Sequence, residues 1–148
     1  MGIEKDISQA KFRNEYQKGI INLIYTYNWM NEKMKPFFDK EKITAQQFNI
    51  LRILRGAGKP ISTLQIRQRM LDKMSDTSRI VDRLILKDLV KKNVCPDDKR
   101  LVDVFITDKG KKLLEKLDRY ENEMDDIFGI LTITEVKTLN SLLDKIRS

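Results

Sequence analysis

One local pattern occurs three times in this chain and fixes where three helices begin. A serine or threonine is followed three residues later by glutamine or glutamate at 44–47, 62–65 and 132–135. In such a pair the hydroxyl accepts a hydrogen bond from a free amide at the helix start, and the longer side chain accepts one from the capping residue. We therefore predict helices that start directly after Thr44, Ser62 and Thr132.

Two apolar stripes at three- and four-residue spacing predict long amphipathic helices near the two ends of the chain. The first runs from about Gln9 to Phe38, and the second follows a cap at Thr107 and continues from Leu113 to Phe128. Such stripes exceed the apolar surface that a small central core can cover. We therefore expect both to pair with a second copy of the chain, as in a homodimer.

The middle of the chain predicts a helix-turn-helix. A short helix after Ser62 is followed by a break near residues 72–74, and Ser75 is the predicted N-cap of a second helix that extends to about Lys87. Three apolar side chains of the first helix and its end are expected to be buried: Leu64, Met70 and Leu71.

A β-hairpin is expected next, because residues 89–95 and 101–106 have strand character. The turn formers and charges of residues 96–100 suit an exposed hairpin tip. The expected order is helix, helix, short strand, helix, helix, hairpin, helix, helix. The predicted fold class is mainly α with a small β-hairpin wing: a winged helix-turn-helix with flanking N- and C-terminal dimerisation helices.

The net charge of +7 is concentrated in the middle of the chain. Residues 51–100 contain 13 Lys and Arg against 6 Asp and Glu, whereas the remainder contains 16 of each kind. A basic patch in a helix-turn-helix suits a surface that faces phosphates. A solvated helical surface explains the charge alone equally well.

The strongest candidate site is the polar start of the second helix: Ser75-Asp76-Thr77-Ser78-Arg79 with Arg83. In a helix-turn-helix this start enters the major groove. Its hydroxyls and amides can hold phosphates, while Arg79 and Arg83 can reach guanine O6 and N7. The alternative is that Ser75 merely caps the helix and that the arginines pair with Asp76 and Asp82.

The hairpin tip is the second candidate. Arg100 can enter a narrow minor groove, and Asp98 can hold its guanidinium in orientation. Taken alone, an ordinary exposed turn explains this pair. The two candidates together predict that these residues contact double-stranded DNA: Ser62, Thr63, Gln65, Lys73, Ser75, Thr77, Ser78, Arg79, Arg83, Asp98, Lys99 and Arg100.

The chain resembles the MarR family of bacterial regulators, named for multiple antibiotic resistance, over nearly its whole length. The most specific part is TSRIVDRLILKDLVKKNVCPDDKRLVDVFITDKGKKLL, residues 77–114. It is similar to the family's recognition helix, its wing with Asp-x-Arg at 98–100 and its closing Leu-Thr-x-x-Gly, here residues 106–110. ITAQQFNILRIL, residues 43–54, resembles the helix before the reading unit.

The resemblance implies a sequence-specific DNA-binding transcriptional regulator. It implies a homodimer on a pseudo-palindromic operator, usually a repressor, often released by a small anionic or phenolic ligand. The implied organisation is one MarR-like domain over 1–148. Its winged helix-turn-helix DNA-reading part spans 44–107, and its helical dimerisation part spans 9–38 and 108–147.

Two departures from the family pattern bear on the wing and on redox sensing. Asp88 stands where the family usually has Gly, and Asp adopts the left-handed conformation less readily, so the turn is expected to differ slightly. The thiol-based sensors of the family use a Cys near the start of the first helix, which this chain lacks. For Cys95 in the first wing strand, a buried apolar role is favoured over redox sensing.

A ligand pocket between the first two helices is expected from Tyr27, Met30, Phe48 and Leu51, whose side chains offer an adaptable apolar wall. Most residues at such spacing are plain core. With one Cys and no His, no disulfide, conventional zinc site or haem site is expected, and no cofactor.

The remaining expectations concern activity and location. No pair of side chains falls in a recognisable catalytic motif, so an enzyme is not expected. The charged N-terminus and the lack of an apolar run approaching about 20 residues predict a cytoplasmic protein without a membrane span. The alternative function is a winged-helix protein–protein interaction module without specific DNA binding.

Overall fold

The computed structural model describes residues 2–94, 96–98 and 102–148, which form two compact units, Met1–Pro36 and Phe37–Ser148. The boundary at Pro36 lies inside a long helix. The division into a DNA-reading part and a dimerisation part stays a prediction. No helix within the described residues is long and apolar enough to cross a membrane.

The first unit contains a short helix that the sequence did not predict, α1 (Ile3–Asp6), and the start of the long helix α2 (Glu15–Lys40). The helix α2 begins at Glu15 rather than Gln9 because Asn14 acts as its cap. The Asn14 Oδ1 accepts a hydrogen bond from the amide of Gln17 at 2.9 Å. An asparagine that accepts a hydrogen bond from a free amide of the first turn is the residue just before the helix, so the residues before Asn14 lie outside α2.

The second unit contains the remaining elements. In chain order they are α3 (Ala45–Ala57), β1 (Ile61–Ser62), α4 (Thr63–Arg69), α5 (Thr77–Leu86), β2 (Val90–Val94), β3 (Val102–Ile106), α6 (Asp108–Asp118), α7 (Glu121–Asp125), a 3₁₀ turn (Asp126–Phe128) and α8 (Ile133–Arg147). The three predicted capping boxes are confirmed, since Thr44, Ser62 and Thr132 each accept from and donate to their partner.

The three strands form one antiparallel sheet in the order β1-β3-β2. Val90 pairs with Ile106 at the open end of the β2–β3 hairpin, and Ile61 pairs with Val104 on the other side of β3. The predicted wing is therefore confirmed, and the short strand before α4 completes it. The fold is mainly helical with a small sheet, as the sequence indicated.

Apolar side chains from α3, α4, α5, α6 and the sheet form the core of the second unit. Those with least exposure are Ile50, Leu51, Ile61, Ile66, Met70, Leu84, Leu114, Leu117, Val81, Val90 and Val104. The predictions for Leu64 and Leu71 were wrong, because these side chains are 63% and 86% exposed. In α4 the buried side chain is Ile66, and Leu64, two residues earlier, projects from another face of the helix.

The single helix predicted after Thr107 was also wrong, because it ends at Asp118 and gives way to α7 and a 3₁₀ turn. At the break, Tyr120 leaves helical geometry with φ −98° and ψ 5°. Its ring lies 5.7 Å from the Phe37 ring and 4.7 Å from the Lys40 ammonium. Contacts of this kind with a distant segment override the local helical pattern.

A two-point ion pair joins α3 to α6. The Arg55 guanidinium donates to both carboxylate oxygens of Asp118, at 2.8 and 3.1 Å. This hydrogen bonding raises the pKa of Arg55 and lowers the pKa of Asp118. Since both side chains are more than a third exposed, screening limits the pair to a stabilisation of about 1 kcal/mol or less. That contribution is lost as the pH falls through the lowered pKa of Asp118.

The Thr107 hydroxyl and a close backbone contact at Gly110 join the turn between α5 and β2 to the start of α6. Thr107 Oγ1 donates to the carbonyl of Asp88 at 2.7 Å and accepts from the amide of Gly110 at 3.1 Å. Asp88 adopts φ 58°, so it retains the left-handed turn for which glycine is usual. A Cβ on Gly110 would lie 2.4 Å from the carbonyl oxygen of Leu89.

The substitution Gly110→Ala is therefore expected to lower the free energy of unfolding by about 1–3 kcal/mol, because backbone or the Ile106 side chain must shift to admit the methyl group. Gly56→Ala is the matched control, since a Cβ there meets no atom within 4 Å. It should leave stability unchanged or raise it by up to about 1 kcal/mol. Urea unfolding of both variants measures the difference, and equal stabilities would contradict the close approach at Gly110.

Candidate nucleic-acid interface

Two adjoining clefts lie where α4 and α5 meet each other and the wing. The first has a volume of about 450 Å³ and the second about 520 Å³. Three residues line both clefts: Thr63, Leu64 and Ser78. The start of α4, the start of α5 and the sheet thus present one continuous concave surface.

The two clefts are rich in hydrogen-bond donors. Thr63, Ser75 and Ser78 contribute hydroxyl groups, Arg67 contributes a guanidinium to the first cleft, and Lys92 contributes an ammonium to the second. Hydroxyls, guanidinium groups and backbone amides at helix starts are the groups that contact phosphate oxygens in protein–DNA interfaces. The lining also includes two carboxylates, of Asp76 and Asp103, so the groups suited to a polyanion are the hydroxyls, the guanidinium and the ammonium.

The cap of α5 corrects the sequence analysis. The N-cap is Asp76, whose Oδ1 accepts from the amide of Arg79 at 3.2 Å, and not Ser75. The Ser75 hydroxyl donates instead to the carbonyl of Asp72 at 2.8 Å, within the turn between α4 and α5. Both residue types cap helices well, so propensity alone did not separate them.

Thr77 lies differently from its predicted neighbours. It is 4% exposed, and its Oγ1 has no hydrogen-bond partner among the described residues. A side chain so deeply buried does not offer its hydroxyl to a duplex in this conformation, which corrects the sequence-based expectation for its side chain. Ser78, the next residue, is exposed and lines both clefts.

Arg79 and Arg83 are exposed and lie one turn apart on α5. The alternative partners considered for them are engaged elsewhere. Asp76 caps the helix, and Asp82 binds the Lys92 ammonium at 2.6 Å. Within the part of the chain that the structure describes, no ion pair joins either arginine to these carboxylates.

The other predicted contacts near α4 also have local partners. The Ser62 hydroxyl accepts from the amide of Gln65 at 3.1 Å, and the Gln65 Oε1 accepts from the amide of Ser62 at 2.9 Å. The Lys73 ammonium donates to the carbonyl of Gln68. These side chains shape the start of α4 and the turn after it, and their contact with DNA stays a prediction.

The tip of the wing is described only in part. Asp98 is half-buried and engaged in an interaction, whereas Lys99, Arg100 and Cys95 lie outside the described residues. The minor-groove contact of Arg100 and the role of Cys95 therefore stay predictions.

The predicted DNA contacts omit several residues that line the clefts, among them Leu64, Arg67 and Lys92. Arg67 lies one turn after Thr63 on α4, a spacing that was available to find it. Lys92 lies on β2, and the pairing of β2 with β3 brings it beside the second cleft. The sequence alone does not show this position. Leu64 was assigned to the core on its apolar character.

The predicted ligand-pocket residues divide between the two units. Tyr27 and Met30 belong to the first, where Tyr27 is exposed and Met30 is half-buried. Phe48 and Leu51 belong to the second, where Phe48 is half-buried and Leu51 is fully buried in the core. The pocket stays a prediction.

Comparison with known proteins finds similarity to one group. The model of the MarR family matches residues 43–102, which span α3 to the start of β3. The multiple antibiotic resistance protein MarR of Salmonella typhimurium is 30% identical over 127 residues, covering 84% of this chain and 88% of that protein.

Solved structures are similar over most of the chain. A mutant MarR from E. coli complexed with operator DNA has a TM-score of 0.75 and 28% identity, covering 84% of this chain and 90% of that chain. BpsR from Bordetella bronchiseptica, whose DNA binding is regulated by 6-hydroxynicotinic acid, has a TM-score of 0.79 and 24% identity. That likeness covers 94% of this chain and 99% of BpsR and supports the fold.

The corrected cap can be tested by substitution. Asp76→Ala is expected to lower the free energy of unfolding by about 1 kcal/mol, because the amide of Arg79 loses its acceptor. Asp76→Asn should retain most of the stability, and Ser75→Ala should change it by less than about 0.5 kcal/mol. Urea unfolding measures all three, and a larger loss for Ser75→Ala than for Asp76→Ala would reverse the assignment.

Proposed function

This chain belongs to the MarR family of transcriptional regulators, and we propose that it binds a specific operator sequence in double-stranded DNA and represses transcription as a homodimer. Members of this family are DNA-binding regulators of the winged-helix fold rather than enzymes. Because chromosomal DNA is its proposed partner, we place the protein in the bacterial cytoplasm.

One observation carries the proposal: Ser78 and Arg79 near the start of α5 are exposed, and the two clefts at this point include hydroxyl groups, Arg67 and Lys92 in their lining. In a helix-turn-helix the start of the second helix enters the major groove, while the first helix crosses the backbone. Arg79 and Arg83 are then the base-reading side chains, and Ser78 and Arg67 contact phosphates.

The wing supplies the second proposed contact. The hairpin of β2 and β3 leads from α5 to the tip that carries Lys99 and Arg100. An arginine at such a tip recognises the width and negative potential of the minor groove. The supporting observation is the pairing of β2 with β3 from Val90–Ile106 to Val94–Val102.

The proposed dimer rests on exposed apolar side chains at both ends of the chain. On α2 they include Tyr16, Ile20, Leu23, Ile24 and Tyr27, and on α8 they include Ile133, Leu142 and Ile146. None of the described side chains of α8 is buried. Apolar surface of this extent is typical of a subunit interface. We propose residues 9–38 and 108–147 as the dimerisation part.

Release by a small molecule is the third part of the proposal. The DNA binding of BpsR, which has the same fold, is regulated by 6-hydroxynicotinic acid. By analogy we propose an anionic or phenolic effector for this chain, with Tyr27, Met30, Phe48 and Leu51 as candidate contacts. The apolar and sulfur-containing character of these side chains supports an aromatic ligand.

DNA binding can be tested on the intergenic duplex beside the gene. We expect retardation at physiological salt, with Arg79→Ala costing about 1–3 kcal/mol of binding free energy if a base contact is lost. Arg100→Ala should weaken binding, and any lost phosphate contact should reduce the salt slope by about one. Lys5→Ala removes one positive charge from an exposed residue of α1, outside the proposed DNA-reading and dimerisation parts, and should leave affinity and slope nearly unchanged.

Failure of the wild-type protein to retard any duplex, together with a stable protein partner in pull-down, would support the interaction module instead. Arginine variants at positions 79 and 100 that bind as tightly as the wild type would disprove the assigned contacts.

Dimerisation is tested separately by sedimentation equilibrium at micromolar concentration, where the mass of two chains is expected. The double substitution Leu142→Asp with Ile146→Asp should raise the dissociation constant at least about tenfold, because charge would be buried in the interface. Leu86→Asp places the same charge on an exposed leucine of α5 and should leave the dimer intact. A monomeric wild-type protein would overturn the proposal.

A further inference from the structure

Leu64 is the exposed apolar side chain among the described residues that line the two clefts, since Val81 is buried and Val102 is half-buried. It is the second residue of α4, it is 63% exposed, and it lines both clefts. Its neighbours in the two clefts include Thr63, Arg67, Ser78 and Lys92. The hydroxyl and cationic groups among these neighbours suit phosphate, whereas the exposed Leu64 side chain has no group that bonds a phosphate.

Leu64 lies beside the start of α5, at the edge of the proposed DNA-binding surface. Ser78, the second residue of α5, lines the same two clefts, so the starts of α4 and α5 are adjacent at this point. If the start of α5 lies in the major groove, Leu64 faces the edge of that groove. This step rests on the proposed function.

The major groove presents one kind of apolar group that an exposed leucine can contact. Phosphates and most base edges in the major groove are polar, and the only alkyl group on a base edge is the C5-methyl of thymine. An exposed leucine gains nothing from a phosphate, whereas it can remove a methyl group from water. A second exposed leucine, Leu71, lies beyond the end of α4 and lines neither cleft.

We propose that Leu64 contacts a thymine methyl group in the major groove, and that it adds a preference for an A·T pair at that position of each operator half-site. Arg79 and Arg83 read guanine by hydrogen bonds, whereas Leu64 reads thymine by apolar contact. The operator would then combine a G·C pair facing α5 with an A·T pair facing the start of α4.

The experiment uses the full-length protein and a duplex selected by it from a random-sequence library. Each thymine of that duplex is replaced in turn by deoxyuridine, which removes only the C5-methyl group. For the wild-type protein we expect one position in each half-site where affinity falls about fourfold, equal to the contribution of one buried methylene-sized group, about 0.8 kcal/mol.

The variants identify the side chain responsible. Leu64→Ala should bind the thymine duplex more weakly and lose the discrimination between thymine and uracil. Leu64→Gln provides a second test on the same exposed helical position, and circular dichroism checks that both variants fold. Leu86→Ala removes another exposed leucine, at the last residue of α5, and should discriminate as the wild type does.

Each outcome is decisive. Equal discrimination by wild type, Leu64→Ala and Leu64→Gln, or no thymine at which the wild type discriminates, overturns the contact while leaving the proposed function intact. If the wild-type protein enriches no sequence from the library, the proposed function itself fails and the inference with it.

Discussion

The close approach of α6 to the turn between α5 and β2 sets the geometry of the second unit. Gly110 admits the carbonyl of Leu89 into space that any other side chain would occupy. Thr107 joins the same turn to the start of α6, because its hydroxyl serves both the Asp88 carbonyl and the Gly110 amide. The end of α5, the hairpin of β2 and β3 and the start of α6 meet at this turn.

This contact helps to position the sheet, α4 and α5 around the two clefts. The left-handed turn at Asp88 follows the end of α5 and leads into β2, while Ser78 and Arg79 near the start of α5 are exposed. The clefts form there because β3 also pairs with β1, which leads directly into α4. The buried core of the second unit supports the elements that carry this surface.

Local chemistry made much of the fold predictable. Capping boxes at Thr44, Ser62 and Thr132 and the cap at Thr107 need only residues within one helical turn, so the sequence contains all of their determinants. The strand character that predicted β3 is equally local. Where two adjacent residues can serve the same role, as Ser75 and Asp76 can, the choice depends on the turn geometry, and the sequence indicated the wrong one.

By itself, the sequence determined the helix starts, the order of elements, the location of the basic excess and the resemblance that the family comparison supports. Tertiary structure alone decided the break at Tyr120, the burial of Thr77, the exposure of Leu64 and the arrival of Lys92 in the cleft. The physical reason is the distance along the chain over which each interaction acts. Caps and periodicities act within a few residues, whereas burial and convergence depend on which distant segments pack together, and packing is a property of the folded chain.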